Sequence, residues 1–232
     1  MLYTENIVFI HVPKTAGMSI THFLVNALDD PVTVFAPENA RSHTFNLAYS
    51  QRAAKKLKAA IGTRHENCWQ AATLLRQARL PVPCRAFAVA RDPAEQLWSY
   101  YRHLQKPWIW QRQGMDRFTL RGPYQLAATS GFTEFVEKLE NFGMHDDQIA
   151  EYYRPGSFEV LDVVAFEDIE EYLVHRFSHH YAFNIAQLEH RNASSMVKVK
   201  EEITHEVASK VRSKYPLACA IYSESKKRAW RT

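Results

Sequence analysis

Short apolar runs alternate with amphipathic segments through the first half of the chain. Apolar runs predict strands at 6–12, 32–36, 58–64 and 85–90, and helical periodicity predicts helices at 18–28, 45–57, 67–78 and 93–105. Strands that alternate with helices favour a parallel sheet with right-handed crossovers and a ligand site along the carboxyl ends of its strands. We therefore expect an α/β fold with three layers, in which helices cover both faces of a central parallel sheet.

The second half of the chain departs from this alternation. Residues 106–130 hold Pro107, Gly114 and the Gly122-Pro123 pair, and this stretch predicts an irregular insertion. The remaining pattern predicts a strand at 161–168 and helices at 132–140, 145–153, 168–179 and 204–228, the last interrupted at Pro216. With 232 residues, 46% of them hydrophobic, the chain is expected to form a single domain, 1–232, with the insertion at about 106–130.

The first strand leads directly into a turn that predicts an anion site. The turn reads Pro13-Lys14-Thr15-Ala16-Gly17-Met18-Ser19, and its backbone N–H groups should meet the N-terminus of the following helix. Lys14 would supply a mobile charge, Gly17 would let the backbone approach the anion, and Ser19 would donate its hydroxyl. The order differs from the nucleoside triphosphatase loop, in which two glycines precede the lysine. A plain strand–turn–helix corner with an exposed lysine is the alternative.

A second strand–helix junction carries a second candidate anion site. Asp92 is expected at the N-cap, Pro93 at the first helical position, and Glu95 where it would close a capping box. Arg91 lies at the carboxyl end of the strand and Ser99 two turns along the helix, so both side chains could reach an anion at that edge of the sheet. The alternative is a capped helix with an exposed serine.

Together, the two motifs resemble the 5′-phosphosulfate loop and the 3′-phosphate motif of the PAPS-dependent sulfotransferases. The resemblance is to the carbohydrate-type, family 2-like enzymes, in a soluble bacterial-type form, and it extends to a strand ending in Phe166-Glu167 and to a segment holding Asn192 and Ser194. Three positions depart from the family pattern: Ala16 and Met18 stand where glycine and threonine are usual, and Gln96 replaces a frequent arginine.

The resemblance implies a P-loop nucleotide-kinase-like sulfotransferase fold and a sulfuryl transfer to a hydroxyl. The donor would be 3′-phosphoadenylyl sulfate (PAPS), the product PAP, and no metal would be required. The acceptor would be a hydroxyl of a carbohydrate or glycolipid, with a small alcohol or a phenol as the alternative. The donor would be bound by Lys14, Thr15, Ala16, Gly17, Met18, Ser19, Arg91, Ser99, Asn192 and Ser194.

Sulfuryl transfer also needs a cation at the leaving oxygen and a base for the acceptor hydroxyl. Lys14 is the expected cation. His65 is the expected base because it follows the strand predicted at 58–64 and would open onto the same edge as Lys14. His43 and Glu66 are the alternatives. In the insertion, Trp108 and Trp110 could stack on sugar rings beside the acceptor cleft, with core packing or a dimer contact as the alternative.

Charge and composition indicate which classes of ligand and which location to expect for this protein. The balance of 29 basic and 25 acidic residues, a net charge of +4, suits an anionic donor but falls short of the basic stripe of a nucleic-acid binder. No window approaches the roughly 20 apolar residues of a transmembrane segment, and three cysteines without a paired spacing predict neither disulfide nor zinc. The start of the chain lacks a leader pattern, which predicts a cytoplasmic protein. A catalytically inactive nucleotide-binding module and a nucleotide-dependent phosphotransferase are the alternative functions.

Overall fold

The computed structural model describes residues 1–38, 49–139, 145–177 and 203–231, apart from the side chain of Arg52. The strands in these ranges are β1 (Leu2–Tyr3), β2 (Val8–Ile10), β3 (Val32–Ala36), β4 (Leu57–Ile61), β5 (Arg85–Ala90) and β6 (Val160–Ala165). The helices are α1 (Gly17–Ala27), α2 (Gln51–Lys56), α3 (Cys68–Gln77), α4 (Pro93–Leu104), α5 (Pro107–Gln111), α6 (Gly122–Thr129), α7 (Phe132–Lys138), α8 (Asp146–Glu151), α9 (Ile169–Phe177), α10 (His205–Lys214) and α11 (Pro216–Ser225). Short 3₁₀ turns follow at Phe166–Asp168 and Ala229–Arg231.

The chain divides into two compact units, which are described separately below. The first unit draws on residues 1–90, 150–192 and 221–232, and the second on 91–149 and 193–220. The expectation of a single domain stays a prediction.

The first unit contains a six-stranded mixed sheet in the order β4-β3-β1-β2-β5-β6. β2 and β6 each run parallel to β5, and β3 runs parallel to β4, whereas β1 is antiparallel to both of its neighbours, β2 and β3. The α/β fold is confirmed, but the expectation of an all-parallel sheet is wrong. A tight turn after Tyr3, closed by a hydrogen bond from Thr4 N to Ile7 O of 3.0 Å, reverses the chain and makes β1 and β2 a hairpin.

Alternating side chains of the sheet bury two apolar faces. Phe9, Phe87 and Val89 pack on one side in a cluster with residues of α1 and α9, and all three are fully buried. Val8 and Ile10 point to the opposite side, into a cluster with α3. Helices therefore cover both faces of the sheet in this unit, and they hold β2 with its carboxyl end leading into α1.

In the second unit, α4 packs through an aromatic cluster. The Trp98 and Phe132 ring centroids lie 4.9 Å apart, and those of Tyr101 and Phe135 lie 5.1 Å apart. The stretch at 106–130 contains α5 and α6, so the expectation of a wholly irregular insertion is wrong. Pro107 and Pro123 stand in the first turns of these helices, where the missing N–H has no intrahelical partner to lose.

The start of α4 follows the prediction in part. Asp92 is the N-cap, and its carboxylate accepts hydrogen bonds from Ala94 N at 2.9 Å and Glu95 N at 3.4 Å. The predicted capping box is wrong, because the Glu95 carboxylate pairs instead with Arg91 Nε at 3.3 Å. The break of the last long helix at Pro216 is confirmed by α10 and α11. Among the described helices, none is long and apolar enough to cross a membrane.

Candidate functional site

The turn after β2 has a backbone conformation suited to an anion. Val12 N donates to Ile10 O at 3.0 Å, and the buried Thr15 hydroxyl donates to Val12 O at 3.0 Å, which closes the turn. Lys14 has a φ of 67° and Ala16 a φ of 63°, both in the left-handed region. Left-handed residues next to right-handed ones point successive N–H groups into one concavity, a geometry that binds anions.

The first turn of α1 extends this concavity. Ala16 is the N-cap and supplies no side-chain hydrogen bond, and the first turn holds no acidic residue. The N–H groups at the start of a helix have no intrahelical partner and carry partial positive charge. The first turn of α1 holds Gly17, Met18 and Ser19, three of the residues that the sequence predicts for the site.

Gly17 is required by close packing as well. A Cβ atom at this position would lie 1.8 Å from Cδ2 and 1.9 Å from Nε2 of His11, so the imidazole occupies the space that any side chain would need. His11 is only 6% exposed, and its ring lies directly against the helix start. The sequence predicted that Gly17 lets an anion approach the backbone closely. The structure shows a second reason for glycine, because the His11 ring fills the space of a side chain at this position.

His65 is held beside this turn by a hydrogen bond to the backbone of His11, the residue that directly follows β2. Its Nδ1 lies 2.8 Å from His11 O, and the two imidazole centroids are 4.7 Å apart. Because a carbonyl oxygen only accepts, Nδ1 carries the proton and Nε2 keeps its lone pair. The structure therefore brings the predicted base and the predicted anion turn together within the first unit.

Both histidines are neutral at physiological pH. Burial lowers the pKa of His65 to about 4. Burial also holds the pKa of His11 well below its usual range, and the positive charges of the N-terminal ammonium, Arg64 and Lys14, together with that of His65 where it is protonated, lower it further. A neutral His65 with a free Nε2 lone pair can accept a proton from a hydroxyl.

Glu66, the alternative base, is used to fix the loop. Its side chain is 1% exposed, and its Oε1 accepts hydrogen bonds from the backbone N–H groups of Thr63 and Arg64. Burial alone would raise the pKa of Glu66, but the N-terminal ammonium of Met1 and these donors outweigh it, so the pKa lies below its ordinary value. This arrangement favours a positioning role for Glu66 over a catalytic one. The other alternative, His43, lies outside the described residues.

The short strand β1 explains how the His65 loop reaches β2. Three strand spacings of about 4.8 Å separate β4 from β2, so the loop after β4 must cross about 14 Å. Because β1 is antiparallel, its first residues lie at the carboxyl edge of the parallel strands, beneath this loop. Met1 N donates there to Arg64 O at 2.7 Å. In the sequence, the only indication of this strand beneath the His65 loop is the apolar pair Leu2–Tyr3 before a Thr-Glu-Asn turn.

Arg91 and Ser99 belong to the second unit. Arg91 directly follows β5, is 19% exposed and pairs with Glu95. Ser99 lies on α4 and is partly exposed. Gln96, which stands where the sulfotransferase motif that the sequence resembles often has arginine, is 3% exposed. Asn192 and Ser194 lie outside the described ranges.

The insertion in the second unit forms a cavity of its own. It measures about 300 Å³ and is lined by Gln113, Met115, Arg121, Gly122, Pro123 and Tyr124. Nearby in sequence, the guanidinium of Arg112 stacks over the Trp108 ring at 5.0 Å from its centroid, and Trp108 is 39% exposed. Over the ranges that the structure describes, His, Cys, Asp and Glu form no group of three able to hold a metal ion.

Comparison with known proteins finds no matching family model, no similar characterised protein and no similar solved structure. A functional assignment for this chain therefore rests on its residues and on the geometry described above.

Proposed function

We propose that the chain is a sulfotransferase that transfers the sulfuryl group of PAPS to a hydroxyl acceptor, a carbohydrate or glycolipid. The observation that carries the proposal is the turn at 13–19. It combines two left-handed residues, Lys14 and Ala16, with a helix start that lacks a side-chain cap, next to a neutral histidine. A phosphosulfate would fit such a cradle because the backbone N–H groups and the Lys14 cation would bind one anion together.

PAPS, when bound, supplies the activated sulfuryl group on a nucleotide that leaves as PAP. The N–H groups of 16–19 and the Ser19 hydroxyl would hold the 5′ end, and Lys14 would stabilise negative charge on the leaving oxygen. From the sequence motifs, Arg91 and Ser99 are assigned to the 3′-phosphate, and Asn192 and Ser194 to the nucleotide. No metal is assigned to the site.

His65 is the proposed general base. Its Nδ1 is occupied by His11 O, so Nε2 is the nitrogen that would take the proton of the acceptor hydroxyl. A pKa of about 4 keeps this nitrogen unprotonated at neutral pH, although it also weakens the driving force for proton transfer. The rate should therefore stay flat between about pH 6 and 8 as far as His65 is concerned.

The first test is calorimetry with adenosine 3′,5′-bisphosphate, ATP and AMP, each with and without magnesium. We expect metal-independent binding that is much tighter for the bisphosphate than for the other two. Lys14→Ala should weaken it about tenfold or more, as expected for a charged contact to phosphate. Lys58→Ala, which removes an exposed lysine of β4, is the matched control and should leave affinity unchanged.

Two other results would redirect the assignment. Equal or stronger binding of ATP with magnesium would overturn the proposal in favour of a phosphotransferase. Bisphosphate binding without transfer from labelled PAPS to any member of an acceptor panel would indicate an inactive binding module. If transfer is seen, folded His65→Ala should lose it while keeping bisphosphate affinity; full turnover would rule out His65 as the base.

A further inference from the structure

His11 connects the two parts of the candidate site in the first unit. Its imidazole edge fills the space beside Gly17, where a Cβ would come within 1.8 Å, and its carbonyl oxygen accepts the Nδ1 proton of His65 at 2.8 Å. The ring also lies parallel to Phe9, with centroids 6.0 Å apart and planes at 17°. One residue therefore contacts the strand, the helix start and the base.

We propose that His11 is a positioning residue, which fixes the anion turn through its ring against Gly17 and fixes His65 through its backbone carbonyl and ring edge. This inference rests on the proposed function for what the turn and His65 do. His11 itself touches no substrate and is not a catalytic residue. It sets where the first N–H groups of α1 point and where Nε2 of His65 stands.

The surroundings explain why this residue works as a neutral ring. The groups that face it are Lys14 on the turn, Arg64 and the neutral His65 on the loop after β4, and the N-terminal ammonium. A positive charge on the His11 imidazole would be repelled by Lys14, Arg64 and the ammonium. An aliphatic side chain would lack the flat ring edge that lies against Gly17.

The decisive experiment is a double-mutant cycle of Gly17→Ala and His11→Ala, read out by adenosine 3′,5′-bisphosphate affinity. Gly17→Ala should weaken binding at least about tenfold, since the new methyl group collides with the His11 ring. His11→Ala should weaken it several-fold by loosening the turn. In the double variant the cavity left by the ring accepts the methyl group, so binding should be at least about fivefold tighter than the product of the single effects predicts. Independent, multiplicative effects would overturn the proposal.

A second readout follows His65 directly. NMR titration of its ring should show the pKa rising from about 4 towards 6.5 in His11→Ala, because burial is the main cause of the low value and the missing ring admits water. The charged groups that also face His65 are Arg64, Glu66 and the N-terminal ammonium, and none of them is changed by the substitution. An unshifted His65 titration would contradict the proposal.

Control variants separate positioning from general damage. His22→Ala removes another buried histidine, which lies on α1. The His22 ring stacks on Tyr49, whereas the His11 ring lies against Gly17. It should neither rescue Gly17→Ala nor shift the His65 titration. His11→Gln, a neutral side chain of similar reach, should retain bisphosphate affinity better than His11→Ala. If His11→Ala does not fold, His11→Asn replaces it in the cycle.

Failure of this inference is distinguishable from failure of the proposed function. If the unchanged protein binds no bisphosphate, the sulfotransferase proposal fails. The cycle is then measured by urea unfolding midpoints. Gly17→Ala should lower the midpoint because its methyl group collides with the His11 ring, and adding His11→Ala should relieve that loss. Coupling in the midpoints together with the His65 shift would support His11 as the positioning residue, and their absence would exclude it.

Discussion

Ala16 stores strain in the anion turn. It sits at φ 63° and ψ 17°, and an L-residue with a Cβ pays roughly 1–2 kcal/mol for this left-handed conformation. Glycine adopts it without that cost. The glycine that is usual at this position in the sulfotransferase motif that the turn resembles therefore has a physical reason, whereas Ala16 adopts the left-handed conformation with strain.

Ala16→Gly should stabilise the fold by up to about 1 kcal/mol, because relief of the left-handed strain exceeds the extra chain entropy of glycine. Urea unfolding near neutral pH measures this. Ala54→Gly is the matched control: it lies exposed inside α2, so it should destabilise by about 0.5–1 kcal/mol. An Ala16→Gly protein that is less stable than the unchanged chain would show that the turn is not held in this conformation.

At single residues, sequence reasoning identified the groups but missed some of their partners. Lys14 and Gly17 follow from a strand–turn–helix pattern that is local in the chain, so their setting could be predicted. The contacts of His65 with His11, and of Glu66 with Thr63 and Arg64, depend on a loop crossing two strands. No local pattern encodes that crossing. Glu95 illustrates the same limit. The sequence predicted that its carboxylate would accept from the backbone N–H of the N-cap, Asp92, but the carboxylate pairs with Arg91.

Among the elements, α3 anchors the loop that presents His65. Its N-cap, Asn67, follows His65 by two residues, and Asn67 Oδ1 accepts from Gln70 N at 2.9 Å while Gln70 Oε1 accepts from Asn67 N at 3.0 Å. This reciprocal pair is a capping box, and it fixes the residue at which the loop ends. The position of the proposed base is thus set from both sides, by the end of β4 and by this cap.

Asn67→Ala should destabilise the protein by about 1 kcal/mol, the usual cost of losing an N-cap side chain. It should also speed hydrogen exchange of the N–H groups in the first turn of α3. Urea unfolding and exchange measured by NMR check both effects. Gln77→Ala changes an exposed residue at the other end of α3 and should have little effect. Equal losses for the two variants would contradict the role of the cap.

Most described elements could be predicted because their patterns are long enough to be specific. β3 and β5 lie at the predicted residues, and α4 runs from Pro93 to Leu104, one residue short of the prediction. β1 was missed because two residues cannot display an alternation, and its pairing comes from the hairpin. α5 and α6 were missed because proline was interpreted as a loop signal, whereas in both helices it stands in the first turn.

For the whole molecule, two neutral histidines, the buried His11 and the half-buried His65, link folding to acidity. The pKa of His65 is about 4 when folded and near 6.5 when unfolded, so between these values the unfolded chain binds more protons. Protonation then favours unfolding, and stability is lost as the pH falls from 6.5 towards 4. His11 acts in the same direction. Glu66, whose pKa lies below its ordinary value, loses its contribution only at lower pH.

The free energy of unfolding should therefore fall between about pH 7 and pH 4.5, with up to about 2.5 kcal/mol coming from His65. Urea unfolding at a series of pH values measures the slope. His65→Asn should flatten it, whereas His205→Asn, at an exposed site on α10, should leave it unchanged. A slope that is the same in His65→Asn would show that His65 titrates alike in the folded and unfolded chain.

The contact between His11 and Gly17 also restricts how this chain can diverge. Two positions six residues apart share one small volume, so a methyl group can be gained at 17 only where the ring at 11 has already been replaced by something smaller. The reverse order passes through a collision. Descendants of this sequence should therefore carry either a large planar residue at position 11 with glycine at position 17, or a small residue at position 11 with alanine or serine at position 17. A large residue at position 11 together with any side chain at position 17 should be absent among descendants that fold.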